Sequence, residues 1–125
     1  MKNRLQHPVP LTDMMITELK ALRLTHNQEL LFPHRLNNKK SMRTESIWVV
    51  IKRSGYAGRM TTHGFRSLFS TIVNESNLFN PDAIERQFAH LPQNRICSAY
   101  NRAQYWDGRV RLMEWYGEKV KEWIR

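Results

Sequence analysis

Apolar residues recur at helical spacing along most of the chain, in stretches separated by polar, glycine- or proline-bearing breaks. From Thr62 to about Glu75, Phe65, Leu68, Phe69, Ile72 and Val73 keep one face apolar, so the spacing predicts a helix buried on that face, with Thr62 as its N-cap. Upstream, Thr12 caps a helix with Asp13 in its first turn, and Met15, Leu19 and Leu22 make its inward stripe through about Leu24. Thr44 opens another, with Ile47, Trp48, Val50 and Ile51 inside and Lys52 and Arg53 in its last turn, before Gly55 and Gly58 end it. Asn80-Pro81-Asp82 is a strong start signal, an Asn cap with Pro at the first helical position and an acid behind it. That helix carries Ile84 and Phe88 inward and delivers His90 at its end, where Leu91-Pro92-Gln93-Asn94 breaks it. Arg95 to Tyr100 reads as a short helix or turn. A last helix runs from about Trp106 to the C-terminus on Val110, Met113, Val120 and Ile124, broadened by Leu112, Tyr116 and Trp123. Its apolar face is wide enough for the core or for a partner molecule.

Two stretches lack that period. Met1 to Leu11 is basic and closes with His7-Pro8-Val9-Pro10-Leu11, where the prolines confine any strand to an edge, so it reads as half of a β-hairpin. Asn27 to Met42 is a loop in which Leu30-Leu31-Phe32-Pro33 can tuck against the core. The run that follows, His34-Arg35-Leu36-Asn37-Asn38-Lys39-Lys40, is either a solvated loop or a backbone-phosphate contact. The expected fold is mainly α, a helical bundle with a short N-terminal β-hairpin remnant over 1–11, a helical core over 12–105 and a C-terminal helix over 106–125.

Composition sharpens this picture. A chain of 125 residues fits one domain, and 41% hydrophobic residues with four Trp and five Phe argue for a packed core. Lys and Arg number 20 against 11 Asp and Glu, a net charge of +9 that points to a polyanion, with nucleic acid as the leading candidate. No apolar run approaches membrane-spanning length, and no apolar h-region follows Met1-Lys2-Asn3-Arg4, so neither a membrane partner nor a secretory signal is expected. A single cysteine, Cys97, permits no disulfide frame and suggests a cytosolic chain. Five scattered histidines offer no zinc spacing, and no Walker or dinucleotide glycine motif occurs, so neither metal nor small-molecule cofactor is expected.

The helix starting at Thr62 holds the candidate chemistry. His63 and Arg66 stand near the positive end of its macrodipole, where each cation loses about 0.3–1 kcal/mol. A phosphate reverses the penalty: backbone N–H groups, the Arg66 fork and His63 share one anion, and Gly64 lets the backbone come close. The plainer alternative is a buried helix with a solvated arginine and a capping histidine.

The chain resembles the catalytic domain of tyrosine recombinases, most closely the integrases of prophages, satellite phages and genomic islands. The resemblance spans almost the whole chain. It is carried by Met60-Thr61-Thr62-His63-Gly64-Phe65-Arg66, Ile84-Glu85-Arg86-Gln87-Phe88-Ala89-His90, Ala99-Tyr100-Asn101-Arg102-Ala103, and the opening Met1-Lys2-Asn3-Arg4 with His7-Pro8-Val9-Pro10-Leu11. Each motif is weak alone, but the order, with 24 residues from Arg66 to His90 and ten more to Tyr100, is specific.

The resemblance implies that His63 and Arg66 contact the scissile phosphate, that His90 donates to one of its oxygens, and that Tyr100 attacks phosphorus. It implies Lys2 as general acid for the departing 5′-hydroxyl. A phenol near pKa 10 is a weak nucleophile, so neighbouring cations are needed to favour phenolate and to hold charge on the nonbridging oxygens. The product is a 3′-phosphotyrosyl link, reversed by a 5′-hydroxyl when a new strand is joined, and no metal is required. The implied partner is double-stranded DNA at attachment sites, with Arg35, Lys39, Lys40, Arg59 and Arg102 as contacting cations. A homo-tetramer on DNA through the C-terminal helix is also implied, as is a cytoplasmic, nucleoid-associated location.

In that family a further arginine lies in a helical G-x-R-x-x-E type segment ahead of the hairpin, and this chain contains none. The expectation is a fragment or a truncated prophage remnant, slower by about two to three orders of magnitude or more, with weak or no recombination on its own. Two other readings compete: a non-catalytic DNA-binding remnant, and a module that self-associates through the last helix. A Cys97 thiol partnered by His90 is a poor alternative nucleophile, since nothing marks a thiolate pocket. Tyr105 and Tyr116 are in the wrong register and read as packing residues.

Overall fold

A computed structural model of the chain describes residues 6–26, 28–90 and 105–125. Among them the protein is mainly helical: α1 is Asp13–Leu24, α2 Glu45–Ile51, α3 Thr62–Ser76, α4 Pro81–Gln87 and α5 Trp106–Trp123. No sheet forms among the described residues, where strand pairing is limited to an isolated antiparallel bridge between Pro33 and Ser41. The chain divides into two compact units, Asp13–Phe69 and Met1–Thr12 with Ser70–Arg125, so the boundary falls inside α3.

In the unit Asp13–Phe69, α1 begins with Asp13 and ends near Arg23, each charge complementing its end of the dipole. Met15, Leu19 and Leu22 are half-buried, as their spacing predicts. Arg23 Nη1–H donates to Glu29 O at 3.0 Å and His26 Nε2–H to Leu31 O at 3.1 Å, which fastens the following loop to the helix end. Thr44 opens α2 in helical conformation but makes no side-chain cap bond. After Ile51 the backbone widens into a π-helical turn over Lys52–Tyr56, and the turn ends on Gly55 and Gly58 at φ +83° and +76°, a region that favours glycine.

Burial in this unit departs from expectation. Of the four α2 residues assigned inward, only Ile51 is buried, while Ile47, Trp48 and Val50 are exposed. Phe65 and Leu68 of α3 are exposed too. A 3.6-residue period says which side chains share a face, but burial also needs a surface laid against that face. An open apolar hollow of about 380 Å³ lies along it, lined by Val50, Ile51, Ser54, Tyr56, Met60 and Phe65.

The other unit has a closed core. Val73 of α3, Ala83 and Ile84 of α4 and Leu112 of α5 are buried, Val73 and Leu112 completely. Asn80 accepts from Asp82 N–H at 2.8 Å with Pro81 at the first helical position, so the sequence signal for α4 is realised as capping chemistry. The rings of Phe79 and Trp115 meet edge to face at 5.5 Å. Gly117 is buried in α5, where a Cβ would lie 3.1 Å from Thr12 Cγ2, so only glycine admits this approach without displacement. Ile124, assigned to the apolar stripe of α5, is 73% exposed and caps the helix one residue past its last turn.

The expected hairpin strand is not present in residues 6–11, and residues 1–5 lie outside the described residues. The prolines at 8 and 10 have no N–H to give a ladder, and side chains take the nearby polar groups instead. Arg109 Nη2–H donates to Pro8 O at 2.7 Å, and His7 Nε2–H donates to Gln87 O at 3.3 Å. Arg109 is itself buried, a role that its charge concealed in the sequence.

Candidate functional site

His63 and Arg66 project from the start of α3. Gly64 N–H donates to Thr61 Oγ1 at 2.9 Å, so the side-chain cap is Thr61, one residue earlier than the Thr62 expected from the pattern. His63 becomes the second helical residue and Arg66 the fifth, which moves Arg66 into the second turn. Three residues apart, the two stand on one helix face, and both are exposed. Gly64 has a packing reason as well, since a Cβ there would lie 2.8 Å from Met60 Sδ.

His90 is placed by the way α4 ends. The helix stops at Gln87, five residues before Pro92, because Ala89 turns left-handed at φ +59°. Ala89 N–H then bonds to Arg86 O at 3.0 Å and His90 N–H to Glu85 O at 3.1 Å, the paired bonds of a Schellman cap. The cap brings the imidazole back over the last turn, where Nδ1 meets Glu85 Oε2 at 2.6 Å and the ring stacks on Phe88 at 5.7 Å. An ionised carboxylate only accepts, so Nδ1 carries the hydrogen in that bond. Glu85 is thus a site residue that the sequence reading missed, though its place one turn before His90 was the available signal.

An alanine in the left-handed region is strained by about 1–2 kcal/mol, which glycine avoids at some cost in unfolded-chain entropy. Ala89→Gly is therefore expected to raise the unfolding free energy by about 0.5–1 kcal/mol in urea denaturation, with the Glu85–His90 contact kept.

Tyr105 and Tyr116 are poorly suited to a nucleophile's role. Tyr105 O–H donates to Asp82 Oδ2 at 3.1 Å, and that bond, with burial, raises its pKa above the ordinary phenol value. Burial likewise raises Tyr116. Both shifts oppose phenolate formation and suit the packing roles expected for them. Tyr100, Lys2, Arg102 and Cys97 lie outside the described residues.

Of the expected DNA-contacting cations, Arg59 follows the Gly58 turn with its guanidinium 5.5 Å from the centre of the Tyr56 ring. Arg35, Lys39 and Lys40 sit in the loop closed by the Pro33–Ser41 bridge, all three exposed. Among the described residues the ion pairs are Glu85–His90, Glu122–Lys119 and Glu118–Lys121, so none engages this loop. Among the described residues, no group of three or more His, Cys, Asp or Glu could hold a metal ion, and no helix is long and apolar enough to cross a membrane.

Comparison with known proteins adds ancestry to this geometry. The chain is 36% identical over 122 residues to prophage integrase IntA of Escherichia coli (strain K12), covering 97% of this chain and 29% of that protein. It is 39% identical over 127 residues to the integrase of Shigella phage Sf6, covering 100% of this chain and 33% of that protein. Prophage integrase IntS of Escherichia coli (strain K12) is 38% identical over 124 residues, 98% of this chain and 32% of that protein. The chain therefore spans about a third of the length of these curated relatives. No solved structure matches. The model of the phage integrase family matches residues 1–106, a span that contains both the capped start of α3 and the Schellman end of α4, and the chain belongs to that family.

Proposed function

We propose that this chain is part of the catalytic domain of a tyrosine-type site-specific recombinase that integrates or excises a prophage or genomic island. The observation that carries the reading is the pair His63 and Arg66, exposed three residues apart at the capped start of α3, in a chain of net charge +9. An imidazole and a guanidinium on one face at a helix start suit the nonbridging oxygens of a phosphodiester. His90, as an imidazolium with Nδ1–H held by Glu85, donates to the same phosphate through Nε2–H. Tyr100 attacks phosphorus, forming a phosphotyrosyl bond as the bond to the 5′-oxygen breaks. That oxygen takes a proton from Lys2, and attack by a 5′-hydroxyl later reverses the step. Arg35, Lys39, Lys40, Arg59 and Arg102 bind the flanking double-stranded DNA, and α5 joins copies of the full protein in a tetramer. A second reading, a DNA-binding remnant without catalysis, is favoured by the cations of loop 34–43, which need no catalytic set to hold a duplex.

A nicked duplex carrying the junction between the element and its host chromosome separates the two. The first reading expects a covalent adduct on a denaturing gel, mapped to residue 100 and absent in Tyr100→Phe. Arg66→Ala is expected to slow adduct formation by about 10²–10³-fold. Duplex binding that persists with no adduct, from this chain and from a longer protein containing it, establishes the second reading instead.

A further inference from the structure

We propose that the loop between Phe32 and Arg43 is a preformed seat for one backbone phosphate of a DNA duplex, apart from the phosphate handled by His63 and Arg66. The proposal rests on the DNA-binding part of the reading above and not on its chemistry. The seat is an open hollow of about 580 Å³ lined by His34, Asn37, Lys40, Ser41 and Arg43.

Its backbone is closed without a ligand. Met42 N–H donates to Phe32 O at 2.8 Å, His34 N–H to Lys40 O at 2.7 Å and Lys40 N–H to Asn37 O at 3.0 Å, while Pro33 and Ser41 form the antiparallel bridge. Asn37 Oδ1 also accepts from Lys39 N–H at 3.1 Å. A loop pinned in this way has little ordering entropy left to lose when an anion arrives.

The donors it holds suit an oxyanion. Leu36 N–H donates to His34 Nδ1 at 3.2 Å, so Nδ1 is an acceptor and the ring hydrogen sits on Nε2, which makes Nε2 the donor. Lys40 supplies a compact ammonium and Arg43 a planar fork, with the Asn37 amide and the Ser41 hydroxyl completing the lining. Residues 34–43 contain Arg35, Lys39, Lys40 and Arg43 and no acid, and no ion pair among the described residues reaches them. Like charges gathered on a fixed loop repel one another, and a bound anion turns that repulsion into attraction. A tetrahedral phosphate accepts from several directions at once, as this ring of mixed donors requires. Arg35 and Lys39, at the exposed tip, carry the positive surface onward along a strand.

The test is the salt dependence of duplex affinity, read by fluorescence anisotropy on the whole 125-residue chain. One phosphate contact contributes about 0.9 to the slope of log K against log salt. Lys40→Gln with Arg43→Gln is expected to lower the slope by about 0.9, while the control Lys20→Gln, on the exposed side of α1, leaves it unchanged. Amide shifts of the unaltered chain on adding duplex are expected to concentrate at residues 34–43. A double variant matching the Lys20 control overturns the seat. So does a loss of about 1.8, which signifies two independent contacts, or equal binding and shifts with polyglutamate of matched charge. An adduct at residue 100 with an unchanged slope sinks the seat alone. The expected slope loss with no adduct from this chain or from a longer protein containing it sinks the transesterification and leaves the seat standing.

Discussion

Leu112→Ala is expected to lower the unfolding free energy of this protein by about 3–5 kcal/mol, the largest effect of any single truncation here. Leu112 is 0% exposed and sits in α5 where that helix packs on α4, whose buried residues are Ala83 and Ile84. Deleting three buried heavy atoms loses their transfer free energy and leaves a cavity, because close-packed neighbours relax only in part. The fully buried side chains of this unit are few, so its stability rests on a handful of such contacts, within a total that for a domain is typically about 5–15 kcal/mol. Urea denaturation should show a lower midpoint at unchanged slope. Ile124→Ala, at a site 73% exposed, should shift stability by less than about 0.5 kcal/mol. A Leu112→Ala loss no larger than that control would mean that α5 does not form the core. Because α4 ends in the cap that holds His90, a loosened α5 should also raise hydrogen exchange at residues 84–90.

The second large effect belongs to Arg109, and it arises from opposing terms. The side chain is 4% exposed and makes no ion pair among the described residues, and burial, with the nearby charge of Arg86, lowers its pKa from the usual arginine value. Removing the charge relieves that burial. Yet the guanidinium also donates through Nε to Gln87 Oε1 at 2.9 Å and through Nη2 to Pro8 O at 2.7 Å, and it lies 5.6 Å from the centre of the Trp106 ring. Hydrogen bonds made by a charged group contribute about 1.5–3 kcal/mol each, and a buried carbonyl left unpaired costs about 1–3. The bonds outweigh the relief, so Arg109→Met is expected to destabilise by about 2–4 kcal/mol. Arg109→Lys should recover less than half of this, since one ammonium cannot reach both acceptors in the geometry of a fork. Hydrogen exchange gives the sharper reading: amides of residues 6–12 should lose protection while those of α1 keep theirs. Unchanged protection there would show that the N-terminal segment is held by other contacts. The clamp joins Pro8 to the last residue of α4, Gln87, through one buried side chain.

Local chemistry was legible wherever a signal and its effect lie within about four residues. Asp13, Asn80-Pro81-Asp82 and Gly55 each mark a helix end, and the structure places α1, α4 and the end of the α2 turn at those marks. Two local readings slipped by a residue or more. Thr62 was the expected cap, and the geometry selected Thr61; the stop at Ala89 was hidden because alanine seldom turns left-handed. His63 and Arg66 were identifiable from their positions at a helix start, whereas Glu85 emerged only once the cap folded His90 back onto α4.

The amino-acid sequence by itself determined the helices, the basic charge and the family motifs, whose resemblance implies the candidates His63, Arg66, His90 and Tyr100, because periodicity, capping and residue order are properties of neighbours in the chain. Only the tertiary structure decided which apolar faces are covered, that Leu112 and not Ile124 is buried, and that Arg109 reaches across 101 positions to Pro8. Burial and long-range hydrogen bonds depend on which distant surface arrives, and no local pattern carries that information.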